Sequence, residues 1–143
     1  IVAQALAATD TANLRERLYT RLSGGEKQRV QLARVFSQVW DAGPGALLLL
    51  DEPTTALDLS HQQMVLAAVR ALAERGCAVV LASHDLNLVA GLAGSVAVLQ
   101  QGRIAACGSP REVFTRELFR EIFAIDVLVQ RHPERDKPLV ISR

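Results

Sequence analysis

Ala46-Leu47-Leu48-Leu49-Leu50-Asp51-Glu52-Pro53-Thr54-Thr55-Ala56-Leu57-Asp58 is the stretch on which the fold turns. Its first half is an unbroken apolar run, without the alternation of a half-exposed strand. Bounded by Gly43-Pro44-Gly45 before and Pro53 after, it predicts a parallel strand buried on both faces. Two acids, Asp51 and Glu52, stand at its carboxyl end. Neighbours on a strand point to opposite sides, so the two carboxylates are expected to do different work. In open α/β sheets the ligand crevice lies beyond the carboxyl ends of the strands, where these acids fall.

The segments that follow give the run its context. Leu59 to Arg75 carries Val65, Leu66, Val69 and Leu72 as an apolar stripe, with Ser60 as the expected cap and Gly76 as the stop, which predicts a helix. Cys77 to Ala82 is a second β-rich apolar run, ending in Ser83-His84-Asp85 before a short helix from Asp85 to Leu92. Strand, helix, strand, helix implies right-handed crossovers and an α/β three-layer sandwich. His84 is then expected at the same sheet edge as Asp51 and Glu52.

Upstream, Leu22-Ser23-Gly24-Gly25-Glu26 reads as a helix start, with Ser23 as N-cap and Glu26 completing a capping box. The helix is expected to run to about Gln38, with Val30, Ala33, Phe36 and Trp40 on one face. Glycine costs a helix about 1 kcal/mol relative to alanine, so Gly24 and Gly25 make sense where something must approach the backbone closely. A helix N-terminus with bare N–H groups and a serine hydroxyl is suited to phosphate. Before it, Ile1 to Ala8 reads as the end of a packed helix through Val2 and Leu6, and Thr9-Asp10-Thr11 as a break.

Downstream, Ser95 to Leu99 and Arg103 to Cys107 flank Gln100-Gln101-Gly102, a hairpin signal of the three-residue type. Ser109-Pro110 opens a helical stretch reaching Phe123, and Asp126 to Gln130 and Pro138 to Ile141 read as two strands around a polar loop. His132 in that loop, beside Pro133, reads as a solvated histidine.

The 143 residues suffice for one domain. Half are hydrophobic and mean hydropathy is +0.18, yet no apolar run approaches the roughly 20 residues of a membrane span. A formal charge of +1 gives no electrostatic footprint for nucleic acid. Cys77 and Cys107 fit no metal or redox spacing and are expected as reduced core thiols. The opening residues carry no charged-then-apolar leader pattern, and secretion is not expected. Because the chain starts at Ile1, inside a helical pattern, it is expected to be a fragment of a longer protein.

Taken together these residues carry a family resemblance. Leu22-Ser23-Gly24-Gly25-Glu26-Lys27-Gln28-Arg29 resembles the signature motif of ATP-binding-cassette (ABC) ATPases, and Leu47 to Asp51 with Glu52 resembles their Walker B strand and catalytic glutamate. Ala56-Leu57-Asp58 is similar to the D-loop, and His84 falls where that family has its switch histidine. The resemblance implies the P-loop NTPase type of sandwich, with ATP and Mg²⁺ as cofactors. It implies that Asp51 holds Mg²⁺ through water, that Glu52 orients and deprotonates the attacking water, and that His84 contacts the γ-phosphate. It further implies that Ser23, Gly24 and Gly25 bind the γ-phosphate held by the opposite subunit of a homodimer, and that Asp58 couples the two sites.

No Gly-x-x-x-x-Gly-Lys-Ser/Thr loop occurs in the chain, and the family's first strands, adenine-stacking aromatic and loop glutamine are absent. The resemblance is therefore to a partial domain: residues 1–40 as the end of the helical subdomain, 41–108 as the carboxyl-terminal half of the parallel-sheet core, and 109–143 as an extension. Its own ATP site is expected to be incomplete and the isolated chain inactive. Ser83 to Ala90, the Gln101-Gly102-Arg103 turn and Gly108-Ser109-Pro110 resemble bacterial importers of iron chelates, haem and cobalamin. Tyr19, Val30 to Val35 and Val129 to Pro133 are nearest to the hemin importer ATPases, with ferric-siderophore or cobalamin importers as the alternative. Such an ATPase works with membrane permease subunits, and indirectly a periplasmic binding protein, from the cytoplasmic side of the bacterial inner membrane. A DNA-repair type ABC ATPase is a remote alternative, because long heptad insertions and basic faces are lacking.

Overall fold

The backbone of the Leu run finds its partner in the second apolar run. Strand β1 (Leu47–Asp51) lies parallel to β2 (Ala78–Ala82), with Leu47 opposite Ala78 and Asp51 opposite Ala82. The structure, a computed structural model, describes residues 1–142. They divide into two compact units, Ile1–Ser83 and a second that begins at His84.

In the first unit, α1 (Val2–Ala8), α2 (Gly24–Val39) and α3 (Leu59–Glu74) supply the helical layer around the β1–β2 pair. Phe36, Leu48, Val65, Val69 and Leu72 are fully or almost fully buried. Strand β1 is not covered on both faces. Leu48 and Leu50 are buried, while Leu47 and Leu49 are 58 % and 66 % exposed. Val80 on β2 is also exposed. Side chains alternate along a strand, and among the described residues of this unit the helices cover one face of the pair. The helix and sheet layers of the expected sandwich are thus present here without a second helical cover.

Three further details differ from the sequence expectation. Asp58, not Ser60, caps α3: its Oδ1 accepts from the His61 backbone N–H at 2.9 Å. Asp58 has the extended φ/ψ of a cap, two residues ahead of Ser60, which is already inside the helix. The stripe on α2 is Arg29, Leu32, Ala33 and Phe36, continued by Trp40, with Val30 only half-buried. In α1, Ala5 is buried while Val2 is exposed, because burial begins only after the first turn, residues 1–4 all being exposed.

The second unit contains α4 (Leu86–Leu92), the hairpin β3 (Val96–Gln100) and β4 (Arg103–Gly108), α5 (Pro110–Val113), α6 (Arg116–Phe123), and the hairpin β5 (Val127–Arg131) and β6 (Pro138–Ser142). Ala90, Val98, Val113, Phe114, Phe119, Val127 and Val140 form its core. Asn87 fastens α4 to β6: its Nδ2 donates to the Val140 carbonyl at 2.9 Å and its Oδ1 accepts from the Val140 N–H at 2.8 Å. The β3–β4 loop has two residues rather than three, Gln101 and Gly102, both at positive φ. That is the primed turn that matches strand twist, and it leaves Gln100 paired with Arg103. The helical stretch after Ser109 is broken at Phe114 and Thr115, where Thr115 Oγ1 recaps the chain by accepting from the Leu118 N–H. Cys77 is buried, but Cys107 is exposed, because it lies on the uncovered face of β4.

Candidate functional site

Helix α2 begins as its sequence requires. The Ser23 N–H donates to Glu26 Oε2 at 2.8 Å and the Glu26 N–H donates to Ser23 Oγ at 3.3 Å, a closed capping box. The bond from the Ser23 backbone, then that from its hydroxyl, holds the Glu26 carboxyl below its ordinary range. The two glycines that follow are not equivalent. A Cβ on Gly25 would meet the Ala56 carbonyl oxygen at 3.0 Å, whereas a Cβ on Gly24 would meet no atom within 4 Å. The close approach expected at this pair therefore comes, at Gly25, from the chain's own segment beyond β1. Gly24 faces open space.

That segment is tied to α2 at a second point, where Gln28 Nε2 donates to the Pro53 carbonyl at 3.3 Å. Gln62 Nε2, on α3, holds the carbonyls of Thr54 and Leu57 at 3.2 and 3.1 Å. Thr54 is buried. The turn from Glu52 to Asp58 is thus strapped from both neighbouring helices.

Asp51 ends β1 on its exposed face, in register with Leu47 and Leu49. Glu52 does not simply take the opposite side as the next residue of a strand. Its φ is +44°, in the left-handed region, so the pleat stops at Asp51 while the Glu52 N–H still donates to Ala82 at 3.0 Å. A non-glycine residue pays of order 1–2 kcal/mol for that conformation, and such strain concentrates at functional sites. Glu52 is half-buried as a residue, and its carboxylate, at the surface, accepts from Thr55 Oγ1 at 3.1 Å. The two acids do occupy different surroundings, but through a turn rather than through strand alternation.

Asp58 meets His61 twice, through the backbone bond already described and through its Oδ2, 2.8 Å from His61 Nδ1. The backbone bond first, and the side-chain bond second, hold the Asp58 carboxyl below its usual range. His84 opens the second unit, two residues after β2. Ser23, Gly24 and Gly25 are thereby joined to the Glu52–Asp58 turn within one unit.

The residues that make these joints were not evident in the sequence: Gln28, Arg29, Thr55, His61 and, at φ +49°, Asp10. Arg29 is buried in mid-helix and donates through Nη1 to the Thr9 and Asp10 carbonyls and to Asp10 Oδ2. The available signal was an arginine at a position the helical period assigns to the core. Among the described residues no cluster of three or more His, Cys, Asp or Glu could hold a metal ion. A single exposed carboxylate such as Asp51 fits an ion that takes few protein ligands and keeps its waters, as Mg²⁺ does.

A family model described as ABC transporter matches residues 2–55. A protein named hemin import ATP-binding protein HmuV from Pseudomonas aeruginosa is 52 % identical over 143 residues, all of this chain and 56 % of that protein. Its namesake from Gloeobacter violaceus is 52 % identical over 99 % of the chain and 52 % of its own length. The chain thus spans about half the length of the curated relatives it matches. Among solved structures, a metal-chelate type ABC transporter in an inward-facing conformation superposes with a TM-score of 0.76 at 28 % identity, over 99 % of this chain and 56 % of that one. A bacterial Atm1-family ABC exporter with ATP bound gives 0.66 at 33 % identity, over 86 % and 22 %.

Proposed function

We propose that the chain is an ATP-binding-cassette protein, the carboxyl-terminal part of the ATP-hydrolysing subunit of a bacterial importer, with hemin as cargo. The observation that most supports the reading is the joining of a phosphate-suited helix N-terminus, open at Gly24, to the turn that follows an acid-tipped parallel strand. The division into 1–40 of a helical subdomain, 41–108 of a core and 109–143 of an extension is part of the same proposal.

Phosphoryl transfer needs charge neutralisation and positioning more than covalent help. Bound Mg²⁺ supplies the neutralisation of phosphate charge, and Asp51 would hold it through water. Glu52 would accept the proton of the attacking water, its carboxylate oriented by Thr55. His84 would touch the γ-phosphate. Ser23, Gly24 and Gly25 would bind the γ-phosphate held by a second copy, with Asp58 coupling the two sites across the homodimer. The permease subunits and, indirectly, a periplasmic binding protein complete the assembly, with the ATPase peripheral on the cytoplasmic face of the inner membrane. No described helix is long and apolar enough to cross a membrane.

Two experiments test this. Purified alone, the 143-residue chain is expected to show no Mg²⁺-dependent ATP turnover, because it has no glycine-rich loop with a lysine for the β- and γ-phosphates. Turnover that Glu52→Gln abolishes would contradict this. With the full-length protein, its permease and its binding protein in vesicles, ATP turnover is expected to rise severalfold with haem. Stimulation by a ferric siderophore or cobalamin, with haem inert, would overturn the cargo and favour the second reading, which the metal-chelate type neighbour supports.

A further inference from the structure

The polar groups around Asp58 continue beyond His61. One ring nitrogen of His61, Nδ1, faces Asp58 Oδ2 at 2.8 Å, and the other, Nε2, faces Asp10 Oδ2 at 3.4 Å. Asp10 Oδ2 also accepts from Arg29 Nη1 at 3.3 Å, and the same guanidinium nitrogen holds the Thr9 and Asp10 carbonyls. Arg29 stands in the buried stripe of α2. An unbroken chain of contacts therefore runs Asp58, His61, Asp10, Arg29, from the turn after β1 to the interior of the signature helix.

The imidazole suits this place for a chemical reason. Its two nitrogens lie on different edges of a rigid ring, and in the imidazolium form both carry an N–H, so that one ring donates to two carboxylates at once. Capping alone does not call for it: the cap of α3 uses the backbone N–H of His61, which any non-proline residue supplies. The side chain is thus surplus to the helix and specific to the link.

We propose that His61 is a positioning residue: it ties Asp58 to α2 through Asp10 and Arg29, so that Asp58 and Ser23-Gly24-Gly25 meet the opposing subunit as one rigid piece. This rests on the roles proposed above for Asp58 and the signature. The contact between Gly25 and Ala56 and the bond from Gln28 to Pro53 fix the middle of the same turn, and His61 fixes its end.

The test uses the full-length ATPase, with kcat, KM for ATP and Tm measured for His61→Ala, His61→Asn, Asp10→Gly and the double variant Asp10→Gly with His61→Ala. Glycine accepts the positive φ of Asp10, so that substitution removes the carboxylate without straining the backbone. His61→Ala is expected to lower kcat about tenfold, the scale of one charge-assisted hydrogen bond, with KM and Tm nearly unchanged. Members of one network are not additive, so the double variant should fall no further than His61→Ala. His61→Asn keeps a short donor for Asp58 but cannot reach Asp10, and should behave as His61→Ala. An unchanged kcat in His61→Ala, full additivity, a fully active His61→Asn, or a loss confined to Tm would each overturn the link. Glu52→Gln serves as the control. Should it stay active, the reading of the site fails and this inference with it. Should it stall while His61→Ala is silent, the inference alone fails.

Discussion

Full-length protein carrying Glu52→Gln is expected to bind ATP with unchanged affinity and to hydrolyse it at least about a hundredfold more slowly, the lower end of what a positioned general base contributes. The substitution is nearly isosteric. The amide oxygen can still accept from Thr55 Oγ1, which now holds the carboxylate at 3.1 Å, and the left-handed φ of +44° costs glutamine what it costs glutamate. Folding and the Glu52–Asp58 turn should survive, while the ability to take a proton from water is lost. Asp51→Asn makes the contrast. It lies one residue earlier on the exposed face of β1, and its loss should weaken Mg²⁺-nucleotide engagement rather than the chemical step. Equilibrium binding and single-turnover hydrolysis, measured side by side, separate the two. A Glu52→Gln variant with undiminished single-turnover rate would remove Glu52 from its role as base.

The placement of that glutamate shows how far the sequence could be read. Leu47 to Leu50 ending in two acids was legible as a strand, and its parallel pairing with Ala78–Ala82 followed from the helix between them. Which face is covered was not legible. Four consecutive leucines carry no period, so the exposure of Leu47 and Leu49 depends on what packs against the sheet rather than on the strand itself. The turn at Glu52 was hidden for another reason. Positive φ is signalled by glycine or asparagine, and here a glutamate adopts it between a strand bond to Ala82 and the proline that follows.

Caps show the same boundary between local and distant information. Ser23 with Glu26 could be predicted because a capping box is closed by residues three apart. At α3 the expectation of Ser60 failed, because the extended backbone at Asp58 starts the helix two residues earlier and puts that carboxylate at the cap. The contacts that organise the candidate site are long-range: Gln28 with Pro53, Arg29 with Asp10, His61 with Asp10. A mid-helix arginine or a histidine in a first turn reads by default as a solvated side chain. Only the fold brings these residues together.

Gly24→Asp is the substitution expected to separate the fold of this site from its function. The position is the first residue of α2, and a Cβ there meets nothing within 4 Å. An acid in the first turn of a helix interacts favourably with the helix dipole, and leaving glycine removes a conformational-entropy penalty. The subunit itself should therefore be as stable as before, or slightly more so. The effect should fall on what approaches from outside. Two like charges 4 Å apart repel by about 4 kcal/mol at an effective dielectric of about 20, which is close to a thousandfold in an equilibrium constant. ATP-driven association of two subunits and steady-state turnover should collapse by that order, while ATP binding to the subunit's own site persists. Gly25→Ala is the internal contrast, since its methyl would press on the Ala56 carbonyl at 3.0 Å. It should disturb the turn, and with it Tm, where Gly24→Asp does not. Thermal unfolding, nucleotide titration and sedimentation with ATP distinguish these outcomes. A Gly24→Asp subunit that loses nucleotide affinity or melts early would show that the glycine serves the fold, and would refute an action across the dimer.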